Sequence, residues 1–150
     1  MKIVRTGDQF VLGLGRREQQ LFVGLLNRYP CVPLARHHLH RSDRLPDSSQ
    51  RLLDEALAQQ RASTKKQVQE WLSDPRRFEP TESGCRVALS ASEIEWLLQV
   101  LNDIRVGSWV LLGAPDEHLE RALVNKKTAP HFLAMEMAGH FEMQMLQALK

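Results

Sequence analysis

The stretch LSASEIEWLLQVLNDIRVGSWVLLG, residues 89–113, contains the clearest helix signal in the chain. Ser90 is followed three residues later by Glu93, which is the spacing of a capping box at the start of a helix. Beyond this box, residues at intervals of three and four predict one buried face. That face comprises Ile94, Leu97, Leu98, Leu101, Ile104 and Ser108. Trp96 and Val106 lie near the opposite side, so we expect this helix to be covered on two sides.

Short β-like runs flank this helix on its amino-terminal side. Residues 2–14 read as a β-hairpin with a turn at Thr6-Gly7-Asp8, because glycine and aspartate separate two β-branched runs. Residues 86–89 form a third short strand in the same interpretation. The predicted fold is therefore mainly α, a helical bundle with a small N-terminal β-hairpin, and α+β in detail.

The sequence predicts two further helices between the hairpin and the third strand. Residues 17–29 predict an amphipathic helix that ends before Pro30, and residues 47–73 predict a long helix with Asp47, Ser48 and Ser49 as candidate caps. The long helix has one apolar stripe at its two ends and a polar middle, so we expect it to project from the body or to lie on its rim. A break near Ala62 is the alternative. The stripe consists of Leu53, Leu57, Val68 and Trp71.

The carboxyl-terminal part predicts two more helices, one from Pro115 to about Lys127 and one that Thr128 caps. The last helix is apolar over more than half of its circumference, which predicts burial in a bundle or at the interface of a homodimer. Arg105 and Glu142 are the two charges that fall on apolar faces, and we expect them to pair in the core. The apolar arc includes Phe132, Met135, Ala138, Met143, Met145, Leu146 and Leu149.

Length and composition are those of one globular domain over residues 1–150, with 43% hydrophobic and 25% charged residues. No apolar run is long enough for a membrane span, and the first residues lack the apolar segment of a signal peptide, so we expect a cytoplasmic protein without a membrane role. Cys31 and Cys85 form no spacing motif and indicate neither a disulfide framework nor a zinc site.

Charge is distributed unevenly along the chain. Residues 1–77 contain 14 Lys and Arg against 8 Asp and Glu, whereas residues 78–150 contain 6 against 10, so the halves carry +6 and −4. Such an asymmetry is able to steer RNA or an acidic partner, and it is equally well neutralised by packing of the two halves on each other. Binding of RNA through the basic half is the alternative function, although aromatic residues for stacking are few.

The segment LARHHLHRSDRLP, residues 34–46, concentrates histidine and arginine between prolines. In an extended backbone only two of its three histidines point to one side, and the neighbouring arginines oppose a cation, so we interpret it as a solvated basic connection that contacts a partner. A metal site and a phosphate site are the alternatives. The candidate interaction residues are Arg36, His37, His38, His40 and Arg41.

Chemical signatures elsewhere are weak. Glu136 and His140 stand one helical turn apart, which suits a hydrogen-bonded structural pair, and binding of a metal or transfer of a proton is the alternative. The chain has no Gly-x-Ser-x-Gly motif, and we assign no catalytic, cofactor-binding or metal-binding residue. A metal-dependent enzyme would need Glu136 and His140 to meet further ligands in space.

The order of these elements resembles a family of bacterial proteins, the domain of unknown function 2017. The resemblance is strongest over Leu89 to Gly113, especially Trp96 to Arg105, looser in the hairpin and first helix, and includes the helix end WLSDPRRF. It implies a small cytoplasmic protein without an assigned activity, with a link to Clp proteolysis through neighbouring genes. It marks Asn102, Asp103 and Arg105, which we otherwise interpret as a structural polar cluster. The favoured function is a non-enzymatic protein-interaction or adaptor-like module.

Overall fold

The computed structural model describes residues 1–31, 47–115 and 125–150. Helix accounts for 63% of this part of the chain, and the strands form one antiparallel sheet, so the fold is α+β with a mostly helical composition. The elements in chain order are β1 (Lys2–Thr6), β2 (Gln9–Gly15), α1 (Arg16–Leu26), α2 (Asp47–Ser73), β3 (Glu79–Pro80), β4 (Gly84–Ser90), α3 (Ala91–Leu111) and α4 (Ala129–Leu149).

The sheet has the strand order β1-β2-β4-β3. The hairpin of β1 and β2 is confirmed, and the third strand, expected at 86–89, is longer and pairs with β2 over its full length. The sequence does not predict a further strand, β3, because this strand has only two residues, one of them Pro80. Within the described residues, β1 and β3 are the two edges of the sheet.

Glycine allows β2 and β4 to approach each other closely where their pairing ends. Gly84 pairs with Gly15, and a β-carbon on Gly84 would lie only 1.9 Å from the carbonyl oxygen of Leu14. Since no side chain fits at that distance, this position accepts hydrogen alone. The close approach of β2 and β4 brings the start of α1 beside the turn before β4. There the Arg16 amide donates to the Ser83 carbonyl at 3.1 Å.

One face of the sheet is apolar because inward residues of β2 and β4 lie opposite each other. The register pairs Phe10 with Leu89 and Leu12 with Val87, and all four side chains are buried. The outward residues between them, such as Arg86 and Ala88, are exposed. This alternation places the core on one side of the sheet, where the helices cover it.

Helix α3 begins as its sequence indicates. Ser90 is the N-cap, its hydroxyl accepts from the Glu93 amide at 3.1 Å, and the Glu93 carboxylate accepts from the Ser90 amide at 2.9 Å. The same carboxylate forms an ion pair with Arg77 at 2.7 Å. The face predicted to be buried is buried except for Leu98, which is half-buried.

Four aromatic side chains, one from each described helix, join the helices in the core. Phe22 of α1 contacts Phe141 of α4 edge-on, with ring centroids 5.1 Å apart, and contacts Trp71 of α2 at 6.3 Å. Trp71 in turn contacts Trp96 of α3 at 6.2 Å. Edge-to-face pairs of this kind add to the free energy of burial. Phe22 therefore stands at the centre of the helix packing.

Helix α4 buries a narrower face than its composition predicts. Ala138, Phe141 and Met145 are fully buried, but Met143 and Leu146 remain about half exposed, at 51% and 50%. The difference arises because α3 and the sheet contact one side of α4, whereas the apolar residues extend beyond that side. The predicted homodimer would cover these side chains and stays a prediction.

The predicted helix from Pro115 to Lys127 falls largely on residues 116–124, outside the described residues, and residues 126–128 form a turn. Thr128 occupies the N-cap position of α4, but its side chain makes no capping hydrogen bond there. None of the helices that the structure describes is long and apolar enough to cross a membrane.

Candidate functional site

Helix α2 is attached to the body mainly through its carboxyl end. Its 27 residues form an unbroken helix, so the alternative break near Ala62 is absent. Only Val68 and Trp71 are buried, whereas Leu53 and Leu57 of the predicted stripe are half-buried. The remainder of α2 runs beside α3 without close packing and leaves a groove between the two helices.

One face of each helix forms a wall of this groove, which we call the α2–α3 groove. The α2 wall consists of Leu57, Gln60, Arg61 and Thr64. The α3 wall is mainly apolar. Both sets follow intervals of three and four residues, as one side of a helix must. The depression between these walls has a volume of about 340 Å³. The α3 wall consists of Trp96, Gln99, Val100, Asp103, Val106, Gly107 and Val110.

The segment after α1 also lines the groove. Tyr29, Pro30 and Cys31 line it there, and a cis peptide bond joins Tyr29 to Pro30. Burial raises the pKa of Tyr29, while a hydrogen bond with Thr64 acts in the opposite direction. This part of the groove thus combines apolar surface with hydroxyl groups that stay neutral at physiological pH.

Cys31 is the one nucleophile candidate among the described groove residues, and its surroundings keep it as a thiol. Burial raises its pKa, although the side chains of Ser108 and Arg28 partly oppose that effect. Its Sγ donates to the Arg28 carbonyl at 3.4 Å. Because the thiolate is the reactive form, this environment favours a packing role over nucleophilic chemistry.

One end of the groove is aromatic, and we call it the aromatic end. Trp71, Trp96 and Arg77 line a second depression of about 380 Å³, and Trp96 belongs to both depressions. The Arg77 guanidinium lies over the Trp71 ring at 5.1 Å from its centroid. From Leu57 to Trp71 the groove follows α2 for about 20 Å, since each helical residue rises 1.5 Å. That length corresponds to several turns of a second helix.

Arg105 and Glu142 form an ion pair, but at the surface rather than in the core as we expected. The two side chains are 3.3 Å apart, and the Arg105 side chain is 44% exposed whereas that of Glu142 is 14% exposed. Arg105 also donates to the Asn102 side chain at 2.8 Å. The cluster predicted at Asn102, Asp103 and Arg105 is thereby divided, since Asp103 lies in the α2–α3 groove.

Glu142 should not stabilise the protein at neutral pH. Burial raises the pKa of its carboxyl above the usual value, and Arg105 only partly opposes this, so the charged form is disfavoured in the folded state. A carboxyl whose pKa is raised by folding stabilises at low pH and loses that contribution as the pH rises through its titration range.

We therefore expect Glu142→Gln, which retains an acceptor for Arg105, to be at least as stable as the wild type at about pH 7 and to lose any advantage at about pH 3. Urea unfolding at both pH values measures the difference. A variant that is less stable than the wild type at neutral pH only would show that the ion pair outweighs the burial of the charge.

Other residues singled out from the sequence are not brought together. Arg36, His37, His38, His40 and Arg41 lie outside the described residues. Glu136 and His140 are both exposed, and within the described ranges no hydrogen bond or ion pair joins them. No group of three potential metal ligands occurs among the residues that the structure describes. Trp71 and Trp96 were recognised as packing residues, yet their place in a groove depends on the spacing of two helices.

In comparisons with known proteins, the chain matches no family model, no curated protein and no solved structure.

Proposed function

We propose that this chain is a protein-interaction module that receives a helical segment of a partner protein in the α2–α3 groove. The observation that carries the proposal is the attachment of α2, which is buried only at Val68 and Trp71 and otherwise leaves the groove beside α3. An amphipathic helix that places its apolar face in a hydrophobic groove is a recurrent mode of recognition. This is the adaptor-like class that sequence analysis favoured.

The chemistry of the walls supports a helix of mixed character. Trp96 and Val106 offer apolar contact on α3, whereas Gln60 and Thr64 on α2 offer hydrogen bonds along the opposite wall. Tryptophan is frequent among the residues that contribute most to binding at protein interfaces. A link to Clp proteolysis, which the family resemblance implies, would be one form of this function.

Val106 provides a direct test, because it lines the groove with 44% of its surface exposed. We expect Val106→Glu to reduce capture of a protein partner at least about tenfold, since a charge buried at an interface loses its hydration. The matched control is Val4→Glu on β1, which is 46% exposed and remote from the groove in the fold. The measurement is capture from the producing cells at low and high salt, with proteins and RNA quantified in the same eluates.

The pattern across variants decides between the two functions. A protein that the wild type and Val4→Glu retain at high salt, and Val106→Glu loses, supports the groove. Equal retention of the partner by the wild type and both variants would place the interaction elsewhere. RNA that is released at high salt, without a protein partner, would favour the basic surface, because phosphate contacts release counterions and weaken with salt.

A further inference from the structure

Three N–H groups without acceptors lie in one cluster at the aromatic end of the groove. They are Nε1 of Trp71, Nε1 of Trp96 and Nε of Arg77, and each atom is buried. The rings of Trp71 and Trp96 have centroids 6.2 Å apart, and the Arg77 guanidinium lies 5.1 Å from the centroid of the Trp71 ring. Trp71 is only 8% exposed. The three side chains line the same depression.

Three buried donors without acceptors in one place need a physical reason. Buried polar groups are nearly always paired, because an unpaired one has lost its hydration without a replacement. Of the five unpartnered buried polar side-chain atoms in the described residues, three belong to this cluster, and all three are donors. Trp109 shows the ordinary arrangement, since its indole donates to the Pro115 carbonyl at 3.1 Å. The aromatic end thus contains three buried donors without an acceptor among the described residues.

Neighbouring charges distinguish between kinds of acceptor. Glu70 and Asp74 line the same depression as Arg77, and although Glu70 pairs with Lys66 at 3.9 Å and Arg77 with Glu93 at 2.7 Å, Asp74 adds a negative charge that disfavours a carboxylate or a phosphate. The carboxyl end of an α-helix instead offers four neutral carbonyl oxygens without intrahelical partners. Basic residues are frequent in the last turn of a helix, and there they would face Glu70 and Asp74. The unpaired N–H donors and the two acidic side chains together therefore match the carboxyl end of a partner's helix.

We propose that the aromatic end binds the carboxyl-terminal turn of a partner's α-helix, whose free carbonyls accept from Trp71, Trp96 and Arg77. This inference rests on the proposed function and adds the orientation of the partner: its carboxyl end lies at Trp96, and its preceding turns extend toward Tyr29 and Val110. Because the three nitrogen atoms are buried in the free protein, binding of the partner requires the side chains of the aromatic end to rearrange.

The test uses the indole N–H signals of the full chain labelled with ¹⁵N. The sequence has three tryptophans, so each signal is assigned by the loss that follows Trp71→Phe, Trp96→Phe or Trp109→Phe. The probe is an acetylated and amidated helical peptide of about four turns, with leucine on one face and lysine in the last turn. The control peptide has the same composition with the leucines redistributed, so that no apolar face exists.

We expect the helical peptide to shift the indole protons of Trp71 and Trp96 downfield in a saturable way, while that of Trp109 stays in place. Trp96→Phe should weaken peptide binding roughly fivefold, the effect of one lost hydrogen bond. Its thermal midpoint should be unchanged or higher, because the replacement removes an unpaired donor and retains an aromatic ring. Should Trp71→Phe fold poorly, the half-buried Trp96 still provides the measurement.

Two failures are distinguishable. Saturable shifts of the Val106 methyl groups without movement of the Trp71 and Trp96 indoles would overturn the orientation and leave the groove in place. Absence of saturable shifts at both positions would overturn the helix-binding groove as well. Indole protons of the free protein that already resonate as hydrogen-bonded donors would also overturn the inference, since the donors would then have partners.

Discussion

Phe22→Ala should lower the free energy of unfolding by about 3–5 kcal/mol, the usual loss for a large aromatic residue removed from a core. Phe22 is fully buried and contacts the rings of Phe141 and Trp71, so its removal leaves a cavity between α1, α2 and α4. For a chain of this length the expected decrease in thermal midpoint is roughly 10 °C or more. Urea unfolding and calorimetry measure both quantities.

The control for this prediction is the preceding residue on the same helix. Leu21 is 39% exposed, so Leu21→Ala should cost less than about 1 kcal/mol. Comparable losses for the two variants would mean that α1 does not present Phe22 to the core. A loss confined to Phe22→Ala would establish the aromatic contacts as the junction of the helices.

Gly84→Ala is the second change with a large expected effect, at about 3 kcal/mol or more of destabilisation. Its added methyl group would meet backbone atoms on β2, namely the Leu14 carbonyl oxygen at 1.9 Å and the α-carbon of Gly15 at 2.9 Å. Backbone atoms cannot move aside as the end of a flexible side chain does, so β2 and β4 would have to separate where they pair.

Gly13→Ala provides the comparison within the same sheet. A β-carbon at Gly13 would lie 3.6 Å from the Lys2 carbonyl oxygen, which is an ordinary van der Waals contact. We expect its stability to remain within about 1 kcal/mol of the wild type. Denaturant unfolding of both variants checks the prediction, and a mild effect at Gly84 would show that the strands are further apart than described.

Local sequence signals were sufficient for the elements but not for their spacing. The Ser90 and Glu93 capping box predicted the start of α3, and the run 86–89 predicted a strand beside the hairpin, because both depend on neighbours in the chain. By contrast, Arg105 and Glu142 were expected in the core, and only the position of α4 against α3 shows that their pair meets solvent. Periodicity gives the direction of a side chain and not the distance to the next helix.

The groove illustrates the same limit. The polar middle of α2 predicted a helix on the rim, and Trp96 predicted cover on a second side of α3, and both signals were present in the sequence. A gap between α2 and α3 is a property of two helices together, which neither pattern contains. The aromatic end was equally invisible, because unpaired donors emerge only after every possible acceptor has been placed.

Arg77 has a consequence for association between copies of the chain. Strand β3 pairs with β4 only at Cys85 and Arg86, so the rest of that margin has no neighbouring strand among the described residues. The Arg77 guanidinium donates to the Ala88 carbonyl at 3.4 Å on this margin, and Pro80 of β3 has no amide hydrogen to offer. An arginine side chain and a proline are two devices that oppose growth of a sheet by edge-to-edge pairing. Arg77 thus occupies the side of β4 that β3 leaves open, where a strand of another copy would otherwise pair.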